Sequence, residues 1–211
     1  MSNPVSIERL LQDLEKIRAE ARPLVEARWT EFEKLRLEGS EDDLYGELCF
    51  CILTANWSAQ GGIRAQKLIG HGFSTMSFEE LAEKLRTVGH RYPEARAKYI
   101  VENRWLLGKL REIIAQPDPR EFIVKNVKGL GWKESSHFLR NVAFPDYAIL
   151  DKHVLRTMHS YGLIDEIPKG WTRKKYLDYE ERLRKVADAF GEPLGKFDLY
   201  LWYMIKKRVD K

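Results

Sequence analysis

The sequence predicts an all-α protein, and three observations carry that prediction. Apolar residues recur at three- and four-residue intervals over most of the chain. Period-two alternation of the kind a half-buried strand needs never persists over a convincing length. Clusters of Gly, Pro and Ser punctuate the chain at intervals that suit helices, and no tandem repeat or low-complexity stretch is present. At 211 residues the chain can bury a sizeable core without disulfides, as one domain or as two closely packed lobes sharing a groove.

Taken in order, Ile7, Leu10, Leu11, Leu14 and Ile17 form a first amphipathic stripe, and Trp29, Phe32 and Leu35 a second, so two helices are expected there. Glu41 to Ala55 holds Leu44, Tyr45, Leu48, Cys49, Ile52 and Leu53, the pattern of a largely buried helix. Helices are expected next over Gly62 to Ile69, Ser77 to Leu85, Pro93 to Gly108 and Arg120 to Lys125. They are separated by Gly70-His71-Gly72, Gly89-His90-Arg91-Tyr92-Pro93 and Gln116-Pro117-Asp118-Pro119. Near the end, Phe197, Leu201, Trp202 and Ile205 make a further stripe.

The two cysteines, Cys49 and Cys51, lie inside an apolar run, where they serve as small hydrophobes in a chain suited to a reducing cytoplasm. Together with five scattered histidines they supply no four-ligand set for zinc or an iron–sulfur cluster, so no metal or cofactor is expected. The opening MSNPVSIERLLQDLEKI is charged throughout, unlike a signal peptide, and no window approaches a membrane span. The net charge of +4, from 36 basic against 32 acidic side chains, does not by itself indicate a nucleic-acid partner.

Val127-Lys128-Gly129-Leu130-Gly131-Trp132-Lys133 places two glycines around one apolar residue between helical patterns. That reads as a helix, a tight hairpin and a second helix. Glycines permit the sharp turn and a close backbone approach, and the free amides of the next helix favour an anion such as a phosphate. Further on, Phe144-Pro145-Asp146 forces a turn, and Asp151 precedes Lys152-His153-Val154-Leu155 as a helix N-cap. Singly, these are an ordinary helix connection, a solvated lysine and a cap. Their joint spacing, with Asp151 eighteen positions after Lys133, is more specific than any of them alone.

This combination resembles the helix-hairpin-helix DNA glycosylase superfamily, in which a G-x-G hairpin, a lysine two residues beyond it and an aspartate after a Pro-Asp turn recur. The likeness extends over nearly the whole chain. It implies a single domain, residues 1–211, made of two helical lobes flanking a DNA-binding groove, with the hairpin and catalytic loop at about 120–160. Within the superfamily, the length and the terminal Lys211 are similar to the compact 8-oxoguanine glycosylases. The absence of a cysteine cluster near the C-terminus separates the chain from the endonuclease III and adenine-removing branches.

The resemblance implies a role for each residue. Lys133 would be the nucleophile at the sugar, which requires a neutral amine, and Asp151 would stabilise the positive charge developing there. Gly129, Leu130 and Gly131 would hold the DNA backbone, with His153 on a further phosphate. In Leu53-Thr54-Ala55-Asn56-Trp57-Ser58, Asn56 would fill the gap left by the flipped nucleotide, although a helix cap explains it equally well, and Arg64 would read the orphaned cytosine. Trp202 and Tyr92 would wall the base pocket and Lys211 approach the base, while a core stripe accounts for Trp202 taken alone. Lys206-Lys207-Arg208 and Arg173-Lys174-Lys175 read mainly as solvated faces.

The expected partner is double-stranded DNA bearing a damaged purine, bound by a monomer with no membrane association. A glycosylase for another lesion and a non-catalytic hairpin module are the rival readings. The second would have no reason to place Lys133 and Asp151 as they are.

Overall fold

The first two expected helices are one. In the computed structural model, which describes residues 4–211, α1 runs unbroken over Pro4–Glu38. Pro23 lies inside it and costs about 3 kcal/mol through its missing N–H and its clash with the preceding turn. Ala21 and Val25 nevertheless carry the buried stripe of Leu10, Leu14, Ile17 and Phe32 straight across it. Each large apolar side chain so buried contributes roughly 1.5–3 kcal/mol, which outweighs the proline. The first three residues of the charged opening segment lie outside the described residues.

After α1 come α2 (Glu41–Thr54), α3 (Ala59–Ile69), α4 (Gly72–Thr75), α5 (Phe78–Thr87), α6 (Pro93–Glu102), a 3₁₀ turn (Arg104–Leu106), α7 (Leu110–Ile114) and α8 (Pro119–Asn126). The chain then continues through α9 (Trp132–Asn141), α10 (Lys152–Ser160), α11 (Arg173–Phe190) and α12 (Leu194–Lys206). No strand occurs among the described residues, so the all-α class holds. No helix among them is long and apolar enough to cross a membrane.

The chain divides into two compact units: Glu33–Val142, and the described part of Met1–Phe32 together with Ala143–Lys211. In the Glu33–Val142 unit, α2 is buried on nearly all sides from Leu44 to Thr54 and packs against α3, α4, α6, α7 and α9. A reciprocal Ser40–Asp43 capping box starts it. Its buried Glu47 accepts a hydrogen bond from Asn141 Nδ2 at 2.6 Å and one from Gln66 Nε2 at 3.2 Å, fastening α9 and α3 to α2.

Two boundaries differ from the sequence expectation by three residues or more. Ser58 caps α3, which begins at Ala59, three residues early, because Gly61 and Gly62 lie flat against the Trp57 and Phe50 rings, where a Cβ would come within 2.6 and 2.8 Å. The helix expected over Pro93 to Gly108 stops at Glu102, with Asn103 as its C-cap and a 3₁₀ turn following.

In the other unit, α11 and α12 pack together through Phe190, whose ring meets Phe197 and Tyr200 edge-on, and α10 lies on α12.

Candidate active site

The hairpin between α8 and α9 is built by residues of α6. Gly129 takes φ +81°, open to glycine, and a Cβ there would lie 2.7 Å from the Tyr99 ring. Asn103, fully buried at the end of α6, donates from Nδ2 to Lys128 O at 2.8 Å and accepts from Lys128 N at 2.9 Å. One side chain thus satisfies both backbone groups of the hairpin's first residue. Leu130 is buried, so its side chain anchors the turn. Asn103→Ala should orphan both Lys128 groups and destabilise the protein by about 1–3 kcal/mol, read by thermal unfolding. Unchanged stability would show that Asn103 does not support the hairpin.

Lys133 is the second residue of α9, and its side chain is only 22% exposed. Its Nζ lies 3.1 Å from Glu134 Oε1, while Glu134 Oε2 accepts from Gly131 N at 3.3 Å, satisfying the amide of the glycine that precedes α9. The amine is therefore enclosed, close to the positive end of a helix and held by the carboxylate that also fixes the hairpin. Trp132 beside it is overlain by the Arg120 guanidinium at 5.4 Å.

The same unit carries Asn56, Arg64 and Tyr92. Asn56 is exposed at the end of α2 in the left-handed conformation, φ +61°, which asparagine tolerates better than most residues. It does not cap a helix; Ser58 does. Arg64 is exposed on α3, and Tyr92 is exposed just before α6, with the Arg91 and Arg96 guanidiniums 5.5 and 5.8 Å from its ring.

Asp151 belongs to the other unit and is the N-cap of α10: its Oδ1 accepts from His153 N at 2.8 Å and Val154 N at 2.9 Å. The loop before it is clamped from α11. Tyr176 OH donates to Ala148 O at 2.7 Å and accepts from Leu150 N at 3.3 Å, and buried Glu180 accepts from Ala148 N at 3.1 Å. Gly195 N, at the start of α12, holds Pro145 O at 2.7 Å. His153 is half-buried in the first turn of α10. Burial favours its neutral form against the pull of Asp151, helped by Lys206, Lys152 and Arg156.

Trp202, half-buried on α12, meets the His153 ring edge-on at 5.8 Å, with Lys206 Nζ 5.7 Å above its own ring. The chain end folds back on this helix instead of fraying. Buried Asp210 accepts from Trp202 Nε1 at 3.3 Å and from Arg208 Nε at 2.7 Å, and Arg28 reaches Val209 O at 3.4 Å. Lys211 follows this anchor and is itself partly enclosed.

Gly129, Leu130, Gly131, Lys133, Asn56, Arg64 and Tyr92 thus lie in the Glu33–Val142 unit, and Asp151, His153, Trp202 and Lys211 in the other. Sequence reasoning missed the residues that hold these in place: Asn103, His90, Arg96, Tyr176, Glu180 and Asp210. Their only signal was a polar group set into an apolar stripe or chain end. Among the described residues, no three His, Cys, Asp or Glu side chains are grouped so as to hold a metal ion.

A Gly-Leu-Gly hairpin on a helix N-terminus, with an enclosed lysine in that helix's first turn, defines a helix-hairpin-helix protein of the lysine-bearing class. A family model for 8-oxoguanine DNA glycosylase matches residues 25–192. The chain belongs to the 8-oxoguanine DNA glycosylase family. The 8-oxoguanine DNA glycosylase/AP lyase of Thermotoga maritima is 65% identical over 97% of this chain and 100% of its own. That of Methanocaldococcus jannaschii is 44% identical over 96% of this chain and 99% of its own. The crystal structure of the Thermotoga maritima 8-oxoguanine DNA glycosylase has a TM-score of 0.95 at 65% identity, covering 97% of this chain and 100% of that one. The Methanocaldococcus jannaschii glycosylase/lyase in complex with a 15mer DNA containing 8-oxoguanine has a TM-score of 0.93 at 42% identity, covering 96% and 100%.

Proposed function

We propose that this chain is a bifunctional DNA glycosylase and AP lyase that excises 8-oxoguanine from double-stranded DNA in base excision repair, working as a monomer in the cytoplasm. The observation that carries the reading is the enclosed Lys133 amine, in the first turn of the helix that follows the hairpin.

The reaction follows from the chemistry of that amine. Neutral Lys133 attacks C1′ of the flipped nucleotide as the glycosidic bond breaks, and the base leaves with the bonding pair and takes up a proton. The Lys133 Nζ–C1′ bond then becomes an imine as the sugar ring opens, with the ring oxygen taking a proton. Loss of a C2′ proton expels the 3′ phosphate, and the strand is cut. Asp151 supplies negative charge to the oxocarbenium-like sugar. The hairpin amides and His153, with Lys152 and Arg156 exposed beside it, hold phosphates and so set register without reading sequence. Asn56 fills the vacated stack and Arg64 contacts the orphaned base, while Trp202, Tyr92 and Lys211 are each assigned to recognition of the extruded purine by the family resemblance.

Borohydride trapping on duplexes with a single lesion tests the reading. A covalent complex with 8-oxoguanine DNA, and little with alkylated adenine or damaged pyrimidines, is expected; a different lesion preference would reassign the substrate. Deleting Lys211 then isolates base recognition. Asp210 anchors the tail through Trp202 and Arg208 and stays in the truncated chain, so stability and binding to undamaged DNA should largely hold while 8-oxoguanine release falls and abasic-site cleavage, which needs no base, does not. Equal loss on both substrates would indicate general disruption, and no loss on either would remove Lys211 from the pocket.

A further inference from the structure

We propose that His90 is a positioning residue that couples Asn56 to Tyr92, so that the turn bearing the gap-filling residue and the loop bearing the aromatic one meet the duplex as a single rigid piece. This rests on the base-flipping reading above.

His90 is 5% exposed and uses both ring nitrogens on backbone groups. Its Nε2 lies 3.0 Å from Leu53 O, at the start of the turn that presents Asn56, and Nδ1 accepts from Tyr92 N at 3.0 Å. One donor and one acceptor on the same ring require the neutral Nε2–H tautomer, since imidazolium has no acceptor for the Tyr92 amide. Burial favours that neutral form, as does the neighbouring Arg96 charge, against the Leu53 carbonyl.

Two further ties join the same pair of segments. Arg96 donates from Nη2 to Ala55 O at 2.7 Å while its guanidinium lies 5.8 Å from the Tyr92 ring. The Trp57 ring packs on His90 at 4.3 Å between centroids. Leu53, Ala55 and Trp57, which bracket Asn56, are therefore all held by residues flanking Tyr92. Such support matches what Asn56 requires. A non-glycine residue at φ +61° persists where its surroundings over-determine it, and a group inserted to offset unstacking is effective only if it is already ordered.

The variants His90→Gln and His90→Asn each keep one tie, the amide of Gln taking the place of Nε2 and that of Asn the place of Nδ1. Single-turnover release of 8-oxoguanine should be measured on a fully paired duplex and on one with the lesion inside an unpaired bubble, with melting curves as controls. Both variants are expected to slow release from the paired duplex by roughly tenfold or more, the scale of effect that sub-ångström to ångström misplacement produces. On the bubble, where no pair must be opened, they should stay within about threefold of wild type. Arg96→Lys, which withdraws the fork from Ala55 O, should give the same contrast and serves if a His90 variant melts below the assay temperature. Equal losses on the two substrates would make His90 merely structural, and no loss on either would exclude any part in flipping; each overturns the proposal. A wild-type protein that left 8-oxoguanine in place would instead overturn the glycosylase reading, and this inference with it.

Discussion

Lys133→Gln is expected to abolish base release and strand cleavage together, because the proposed mechanism takes both through one amine. The loss should be on the order of 10⁴ or more in single-turnover rate, the range seen when a nucleophile is removed from an otherwise intact site. Glutamine keeps the polar tip beside Glu134 but cannot form an imine. The bond from Gly131 N to Glu134 Oε2 does not involve the lysine, and Asn103 still holds Lys128, so the hairpin and its phosphate contacts should persist. Binding to undamaged DNA and its salt dependence should accordingly stay near wild type. Borohydride trapping decides the outcome: no covalent complex should form with either 8-oxoguanine or abasic DNA. Trapping at the wild-type level would assign the nucleophile to another amine.

The hairpin, the Asp151 cap and the all-α class were legible in the sequence because each is local. Two glycines around one leucine, a carboxylate before a helical run and a 3.6-residue apolar period all lie within a few turns of chain. Where local signals competed with packing, packing won. The two apolar stripes at 7–17 and 29–35 read as two helices, yet Ala21 and Val25 keep one stripe in phase between them, across Pro23. The helix expected from Gly62 begins three residues earlier, and Gly61 and Gly62 are where α3 presses on the Trp57 and Phe50 rings.

Leu130 shows a different limit: the motif assigns the residue to DNA, but it is buried and its side chain anchors the turn. Least legible were the supports. Asn103 acts on Lys128, His90 on Leu53, and Tyr176 and Glu180 on Ala148, all through main-chain groups distant in sequence. A backbone acceptor has no residue type, so no pattern announces its partner. The supports emerge only once the fold brings the segments together.

Asp151→Asn is expected to separate the structural and the electrostatic duty of one side chain. The cap rests on Oδ1, which accepts from the His153 and Val154 amides, and asparagine offers an equivalent oxygen, so helix α10 should start as before. The clamp on the preceding loop comes from Tyr176, Glu180 and Gly195 and is untouched. What disappears is the charge that the proposed mechanism sets against the cationic sugar, and the excision rate should fall by roughly 10² or more. Removing a carboxylate also removes repulsion toward phosphates, so affinity for undamaged DNA should hold or rise while chemistry slows. The Asp151 charge is the one neighbour that raises the pKa of His153, so its loss should leave that imidazole more firmly neutral, visible as a lower titration midpoint by NMR. Asp151→Ala completes the comparison, since it removes charge and cap together and should add a stability loss of about 1 kcal/mol. The two variants should be similarly slow in single-turnover release of 8-oxoguanine, with only the alanine variant melting lower. Near-wild-type turnover by the asparagine variant would leave Asp151 as a helix cap and nothing more.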